Sequence, residues 1–325
     1  MSKLTSTIVC DVCPRACKLE EGQTGFCNVR KNMNGENVDG LYGLFYPNPE
    51  EHNQFAPGSY TIVFPGCNLK CWFCIFPFIS SGFTGDTGQW PTGTYRKLTP
   101  HEVVEKVKMS AGPERAGFKS GLMGLFGGEP TLHHEYVLEA GRLCHDAGCG
   151  SKIHTSGFVS EEVLRKIAGA VDKISLNVKS SCSPRVYQRM DAKPDAVLHS
   201  IEVAWQTPRV DGRVRDTAAI TIRNLVGPDL EPNEEETLAF GKWLVEKTDP
   251  FIEVFVEPAF QPRDRFIDRR VEKEKFMPGD DPNQAERRLW TVGQTLFKSG
   301  LCNVWLSFPG LGAIHIPTGQ TRLTS

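Results

Sequence analysis

Three cysteines fall within eight residues of this chain, Cys67, Cys71 and Cys74, in the run Pro65-Gly66-Cys67-Asn68-Leu69-Lys70-Cys71-Trp72-Phe73-Cys74. The C-x3-C-x2-C spacing puts all three on one loop, directly after a β-like run at 60–64. Three thiols cannot pair as disulfides without leaving one over. They are also one ligand short of the closed four-cysteine set of a structural zinc or ordinary iron–sulfur site. The spacing therefore predicts a metal centre that keeps one position free for a small molecule. Pro65 and Gly66 are expected to help the backbone wrap closely around it.

The other cysteines sort by spacing. Cys10, Cys13, Cys17 and Cys27 form a C-x2-C-x3-C-x9-C group, while Cys144, Cys149, Cys182 and Cys302 are scattered and read as small buried hydrophobes. Eleven cysteines in a chain of 325 residues without an apolar leader read as metal ligands and free thiols rather than a disulfide scaffold. A reducing cytoplasm is the compartment expected. Net charge is −2 with no long basic run, which excludes nucleic acid and membrane surfaces as expected partners.

Along the chain, 1–58 is rich in Gly, Asn, Pro and Cys without helical periodicity, so metal rather than apolar burial is expected to organise it. From 59 onward strands and helices alternate. Strands are expected at 60–64, 122–126, 152–155, 173–178, 217–223 and 251–257, and helices at 99–110, 133–147, 160–169, 194–206 and 232–247. The fold class is α/β, a partial (β/α)6 TIM-like barrel over 59–257 with ligands at the carboxyl ends of its strands. The C-terminal extension, 258–325, contains a charge-dense stretch at 262–275, a helix at 282–298 and a last strand at 303–307. The glycine-rich stretch 80–94 is a candidate lid or partner-contact loop.

Gly127-Gly128-Glu129-Pro130 ends the second strand. Two glycines let backbone approach a ligand, and Pro130 fixes the turn. The cysteine loop together with this GGEP sequence resembles the radical S-adenosylmethionine (SAM) superfamily, in which three cysteines hold a 4Fe-4S cluster whose fourth iron chelates SAM. The resemblance implies reductive cleavage of SAM to a 5′-deoxyadenosyl radical. That radical would abstract hydrogen from a peptide or protein, as in activases, or alternatively from a small metabolite or a ribosomal peptide. A non-catalytic iron–sulfur electron carrier is the reading from another class. A flavodoxin- or ferredoxin-type electron donor is the implied partner. Phe73 would lie near the adenine, and Gly127, Gly128, Glu129 and Pro130 near the ammonium of SAM.

Two more segments are similar to glycyl-radical-enzyme activases such as the pyruvate formate-lyase activating enzyme. Lys152-Ile153-His154-Thr155-Ser156-Gly157-Phe158 resembles their D-T-N-G-F segment, and Ser175-Leu176-Asn177-Val178-Lys179 their L-D-L-K segment. The likeness implies that Ser156, Asn177 and Lys179 bind SAM, with Lys179 at its carboxylate and Asn177 at its ribose. Arg223 stands where those enzymes carry an R-x-x-x-x-P-G run near the cofactor. His154 and Asn177 replace the aspartates that bind a monovalent cation there, so loss of that cation site is expected. Cys182, just past a strand end, is a candidate hydrogen-atom donor. The N-terminal cysteine group resembles the C-x-x-C-P-x-x-C … G-x-C-x-V-R head of AmmeMemoRadiSam-type proteins. It implies a second 4Fe-4S cluster on Cys10, Cys13, Cys17 and Cys27, with zinc as the alternative.

Overall fold

The computed structural model describes residues 6–45, 59–74, 77–80, 96–110, 121–259, 282–308 and 312–322. Residues 81–95 and 260–281 lie outside these, so nearly all of the glycine-rich stretch 80–94 and the whole charge-dense stretch 262–275 fall beyond the described residues.

The N-terminal head is built from short strands. Strands β1 (Ile8–Val9) and β2 (Lys18–Leu19) pair antiparallel, as do β3 (Arg30–Met33) and β4 (Glu36–Asp39), followed by β5 (Leu44–Phe45). The β3–β4 hairpin turns on Asn34-Gly35, both left-handed at φ 56° and 83°. That is the pair a tight two-residue turn demands, because only small or amide side chains tolerate it cheaply. Apolar burial contributes more here than composition suggested: Val12, Leu19, Val29 and Phe45 are buried in the same cluster as the main core. Each such side chain contributes roughly 1.5–3 kcal/mol on burial. Phe45 stands edge-on to Phe64 and Tyr136, each at 5.0 Å.

The remaining elements are β6 (Ser59–Phe64), α1 (Pro77–Ser80), β7 (Arg96–Lys97), α2 (Pro100–Met109), β8 (Leu122–Gly127), α3 (His134–Asp146), β9 (Gly150–Thr155), α4 (Glu161–Ala168), β10 (Lys173–Lys179), α5 (Pro184–Arg189), α6 (Pro194–Gln206), β11 (Ile220–Val226), α7 (Glu234–Lys247), β12 (Glu253–Pro258), α8 (Pro282–Lys298), β13 (Val304–Phe308), β14 (Gly312–His315) and β15 (Thr321–Arg322). One sheet runs in the order β6-β8-β9-β10-β11-β12-β13-β14-β15. Its pairs from β6 to β13 are parallel and the last two antiparallel. β6 and β15 do not pair, so the barrel is open.

Local chemistry sets the helix starts. Thr99 and Glu102 form the expected capping box on α2. Asn233 and Glu236 form a second on α7, which begins that helix at Glu234 rather than at Pro232. β11 starts three residues later than expected, because Asp216 closes a turn by accepting the N–H of Ala218 on its side chain and of Ala219 on its carbonyl. The extension is no appendage to the sheet. α8 carries the chain over so that β13 pairs in parallel with β12, making a seventh parallel strand where six were expected.

The two faces of the sheet differ. Ile153, Ile174, Leu176, Val178, Ile220, Ile222, Val254, Val256 and Leu306 are fully buried against the helices in one core. Residues alternating with them face the other way, where Phe255, Trp305 and Ala313 form a separate small cluster.

The head is bound to this barrel through a buried arginine. Arg30, 1% exposed, donates from Nη1 and Nη2 to both carboxylate oxygens of Glu135 at 2.8 Å, and also to Asn37 and the Leu132 carbonyl. Glu135→Ala is expected to lower unfolding stability by about 2 kcal/mol, since charge-assisted bonds to a buried cation are lost. A shift in denaturant midpoint at constant m-value checks this, and an unchanged midpoint would refute it.

Candidate active site

The cysteine loop leaves the carboxyl end of β6 at Gly66, whose φ is +75°. A Cβ there would stand 2.3 Å from a Val29 methyl and 2.6 Å from the Cys27 carbonyl oxygen. Glycine at this point therefore makes room for the N-terminal head as well as the loop's own turn. Cys67, Cys71 and Cys74 are partly buried, and none is in a disulfide. Leu69 donates its N–H to Cys67 Sγ at 3.4 Å, the Cys71 thiol meets Met190 Sδ at 3.2 Å, and Cys74 Sγ lies 3.2 Å from the Ser80 hydroxyl. Burial pushes the Cys71 thiol up to about 12, with Lys179 pulling the other way. Burial and then Glu129 push Cys67 up as well.

Lys179, at the end of β10, is the cation of this loop. It is 6% exposed, and its ammonium donates to Asn177 Oδ1 at 2.7 Å. Burial lowers its pKa, while Cys71, Cys67 and Cys74 act to raise it, so the three sulfurs and the ammonium share one electrostatic neighbourhood.

The GGEP segment ends β8 directly beside the loop. Gly127 has φ +124°, and a Cβ on it would lie 2.4 Å from Phe64 N and O; one on Gly128 would lie 1.9 Å from Gly66 O. The glycines let this segment approach the chain's own backbone closely. Gly128 N–H donates to Phe64 O and Glu129 N–H to Gly66 O, at 2.8 and 2.9 Å. Pro130 opens a single 3-10 turn, Pro130–His133. The Glu129 carboxylate, 1% exposed, accepts from the hydroxyls of Thr131, Thr155 and Ser156 and from the N–H groups of Thr131 and Ser156, at 2.6–3.2 Å. Five donors of the chain thus occupy it, and its work in this structure is to hold the ends of β8 and β9 together. Ser156 is bonded to it.

This arrangement of cysteines, glycine turn and cation at the ends of β6, β8 and β10, parallel strands of one sheet, has a counterpart among known proteins. Residues 61–205 match the radical SAM superfamily. Over that stretch the chain is similar to a radical SAM domain. It is 27% identical over 244 residues to an uncharacterized protein of Methanocaldococcus jannaschii, covering 70% of this chain and 63% of that one. It is 30% identical over 129 residues to the pyruvate formate-lyase-activating enzyme of Clostridium pasteurianum, covering 38% and 47%. The chain thus spans less than two thirds of either relative. Among solved structures, Streptococcus suis SuiB bound to S-adenosylmethionine aligns over 76% of this chain and 52% of its own, at 13% identity and a TM-score of 0.46.

The other expected residues are placed as follows. Phe73 is buried and edge-on to Trp72 at 5.0 Å, with Arg189 over the Trp72 ring at 3.7 Å. Asn177 and Arg223 are register partners on β10 and β11, and Arg223 pairs with Glu257 at 2.5 Å. Cys182 lies in the main apolar core beside Tyr187. It ends a run of three non-glycine residues in the left-handed region, Ser180, Ser181 and Cys182 at φ 51°, 48° and 59°. Asn224 holds that run by bonding Ser181 N–H and Oγ at 2.7 and 2.9 Å.

The N-terminal cysteines lie beside the loop, with the Cys27 carbonyl against Gly66. Burial lifts Cys13 to about 11, and Cys27 and Cys10 act on it; burial raises Cys27 too, with Cys10 and Cys17 contributing. N–H groups point at the sulfurs: Arg30 N–H reaches Cys27 Sγ and Asn37 Nδ2 reaches Cys10 Sγ, both at 3.4 Å. Asn68 bridges the two cysteine groups. It follows Cys67 in the loop, its side chain donates to the Phe158 carbonyl (2.6 Å) and acts to lower the Cys13 thiol, and its carbonyl accepts Arg15 Nε at 2.6 Å. Arg15 also pairs with Asp191 at 2.9 Å and lies over the Phe26 ring at 3.6 Å. His133 links three segments, bonding Asp39 at 2.8 Å and the Pro65 carbonyl at 2.9 Å. Sequence reasoning missed Asn68, Arg15 and His133. Only their places inside or beside the motifs could have flagged them, because their partners are distant in the chain.

Proposed function

We propose that the chain is a radical SAM enzyme acting on a peptide or protein. Cys67, Cys71 and Cys74 would hold a 4Fe-4S cluster, and Lys179 with Asn177 would meet the carboxylate and ribose of SAM. Once bound, the cluster and SAM supply one-electron cleavage of a carbon–sulfur bond and, from it, hydrogen-atom abstraction. The chain's own groups do the rest. Glu129 ties the ends of β8 and β9, Asn177 orients the Lys179 ammonium, and Gly127 and Gly128 bring the turn against the loop. The observation that carries this reading is a three-thiol loop after β6 whose sulfurs share one electrostatic neighbourhood with Lys179 at the end of β10. The polypeptide substrate is supported by the similarity to an enzyme named for activating pyruvate formate-lyase, itself a protein. A flavodoxin- or ferredoxin-type protein would donate the electron. Among the described residues no helix is long and apolar enough to cross a membrane.

With reductant and SAM, the anaerobically reconstituted protein should yield 5′-deoxyadenosine. A polypeptide fraction of host extract should accelerate it, and the ultrafiltrate should not. No 5′-deoxyadenosine would end the enzymatic reading; acceleration by the ultrafiltrate alone would end the polypeptide one.

Cys10, Cys13, Cys17 and Cys27 would hold a second cluster. Among the described residues no three His, Cys, Asp or Glu side chains converge on a point fit for one metal ion. Zinc would need four sulfurs about 2.3 Å from one point, and metal analysis separates the two. About eight irons per chain are expected, falling to about four in Cys13→Ala. About four irons and one zinc in the unaltered protein would assign zinc instead.

A further inference from the structure

The polar side of the sheet, opposite the helix-packed core, is matched on one half and unmatched on the other. On β11 and β12, Thr221 donates to Glu253 at 2.9 Å and Arg223 pairs with Glu257. On β9 and β10 three neighbouring groups have no such matching. His154 is 9% exposed and its Nε2 is buried without a hydrogen-bond partner. Ser175 stands opposite His154 in the register, is fully buried, and its hydroxyl has no partner either. Lys152 lies two residues before His154 and so on the same face. Partly buried, it makes no hydrogen bond or ion pair among the described residues. Phe126 stands edge-on to the His154 ring at 5.2 Å.

Buried polar groups are almost always satisfied, and leaving them unmade is costly. Three side by side are accounted for if a ligand completes them. All three can donate: an ammonium, an imidazole N–H and a hydroxyl. Their complement is an anionic oxygen group. Burial holds His154 neutral, far below its ordinary range, with Lys152 and Arg223 adding to the effect, and burial lowers Lys152 only to about 8. Glu257 already neutralises Arg223. Lys173 and Glu253 also act on Lys152, with opposite signs, so the five charged groups of this face leave one net positive charge, which suits a monoanionic carboxylate better than a doubly charged phosphate.

We propose that Lys152, His154 and Ser175 form a subsite that binds a carboxylate of the substrate. Ser175 precedes Asn177 by two residues on β10, roughly 7 Å along the strand at about 3.3 Å per residue. A substrate anchored there extends toward the strand ends that carry Asn177 and Lys179, past the aromatic edge of Phe126. The carboxylate can belong to a small organic acid or to an acidic side chain of a polypeptide. Calling the occupant a substrate rests on the function proposed above; its binding does not.

The test is binding to the reconstituted protein without turnover, using two matched pairs: phenylacetate against phenylacetamide, and a short glutamate peptide against its glutamine counterpart. At least one acid should bind about tenfold or more tighter than its amide, and the pair that discriminates identifies the source. Lys152→Met should level that ratio to within about twofold, Ser175→Ala should reduce it by a smaller factor, and Lys152→Arg should restore part of it. Equal binding within both pairs, or discrimination that survives Lys152→Met, would overturn the subsite. Failure of the same preparation to cleave SAM while discrimination holds would instead overturn the proposed function and leave the subsite standing.

Discussion

Cys71→Ala is expected to bring 5′-deoxyadenosine formation to background and to remove most of the iron held by the cysteine loop. Cys71 is the middle ligand of three, and its loss leaves two thiolates for a cluster that needs three from the chain. The effect should exceed the roughly 10–100-fold loss in metal affinity that follows removal of a mere outer-shell partner. Stability should change little by comparison, since the side chain is small and only partly buried. Iron analysis, the visible absorbance of the cluster and a denaturation curve on the same preparation separate the two effects. Retained iron with full 5′-deoxyadenosine production would refute the assignment of the loop, and with it the function proposed here.

Gly128→Ala should be the most damaging alanine substitution among the described glycines. Its new Cβ would stand 1.9 Å from the Gly66 carbonyl oxygen and 2.7 Å from its carbon. These are backbone atoms, held in place by the Glu129 N–H bond to the same carbonyl at 2.9 Å. No flexible side chain can move aside, so either the cysteine loop or the end of β8 must shift. A cost of about 3–5 kcal/mol is expected, at the upper end for overpacking, together with loss of iron binding. Gly169→Ala supplies the contrast. Gly169 sits in ordinary helical geometry at φ −71°, and its new Cβ would meet nothing closer than 3.5 Å. It should be neutral or stabilise by up to about 1 kcal/mol. Equal midpoints for the two variants would show that the close approach of loop and turn is not what Gly128 serves.

Much of the barrel could be read in advance because its signals are local. The capping box at Thr99 and Glu102, the Pro194 start of α6 and the alternation of apolar runs each depend on a few consecutive residues. The Asn34-Gly35 hairpin was equally local and went unread, since the cysteine spacing dominated that segment. The seventh parallel strand was visible as a strand but not as part of the sheet, because its pairing with β12 spans a long connection. Glu129 illustrates a harder case. Its carboxylate is held by Thr155 and Ser156, at the end of a strand separated from it by a whole helix.

Spacing along the backbone alone was enough to mark Cys67, Cys71 and Cys74 as a three-thiol loop, because neighbours so near in the chain are near in space whatever the fold. It also marked β-strand ends as the place for chemistry. Which groups remain unsatisfied there was decided by tertiary structure. Thr221 and Arg223 found carboxylates on β12, whereas His154 and Ser175 were brought face to face without partners. Pairing of that kind depends on strand register and distant contacts, and no local pattern encodes either.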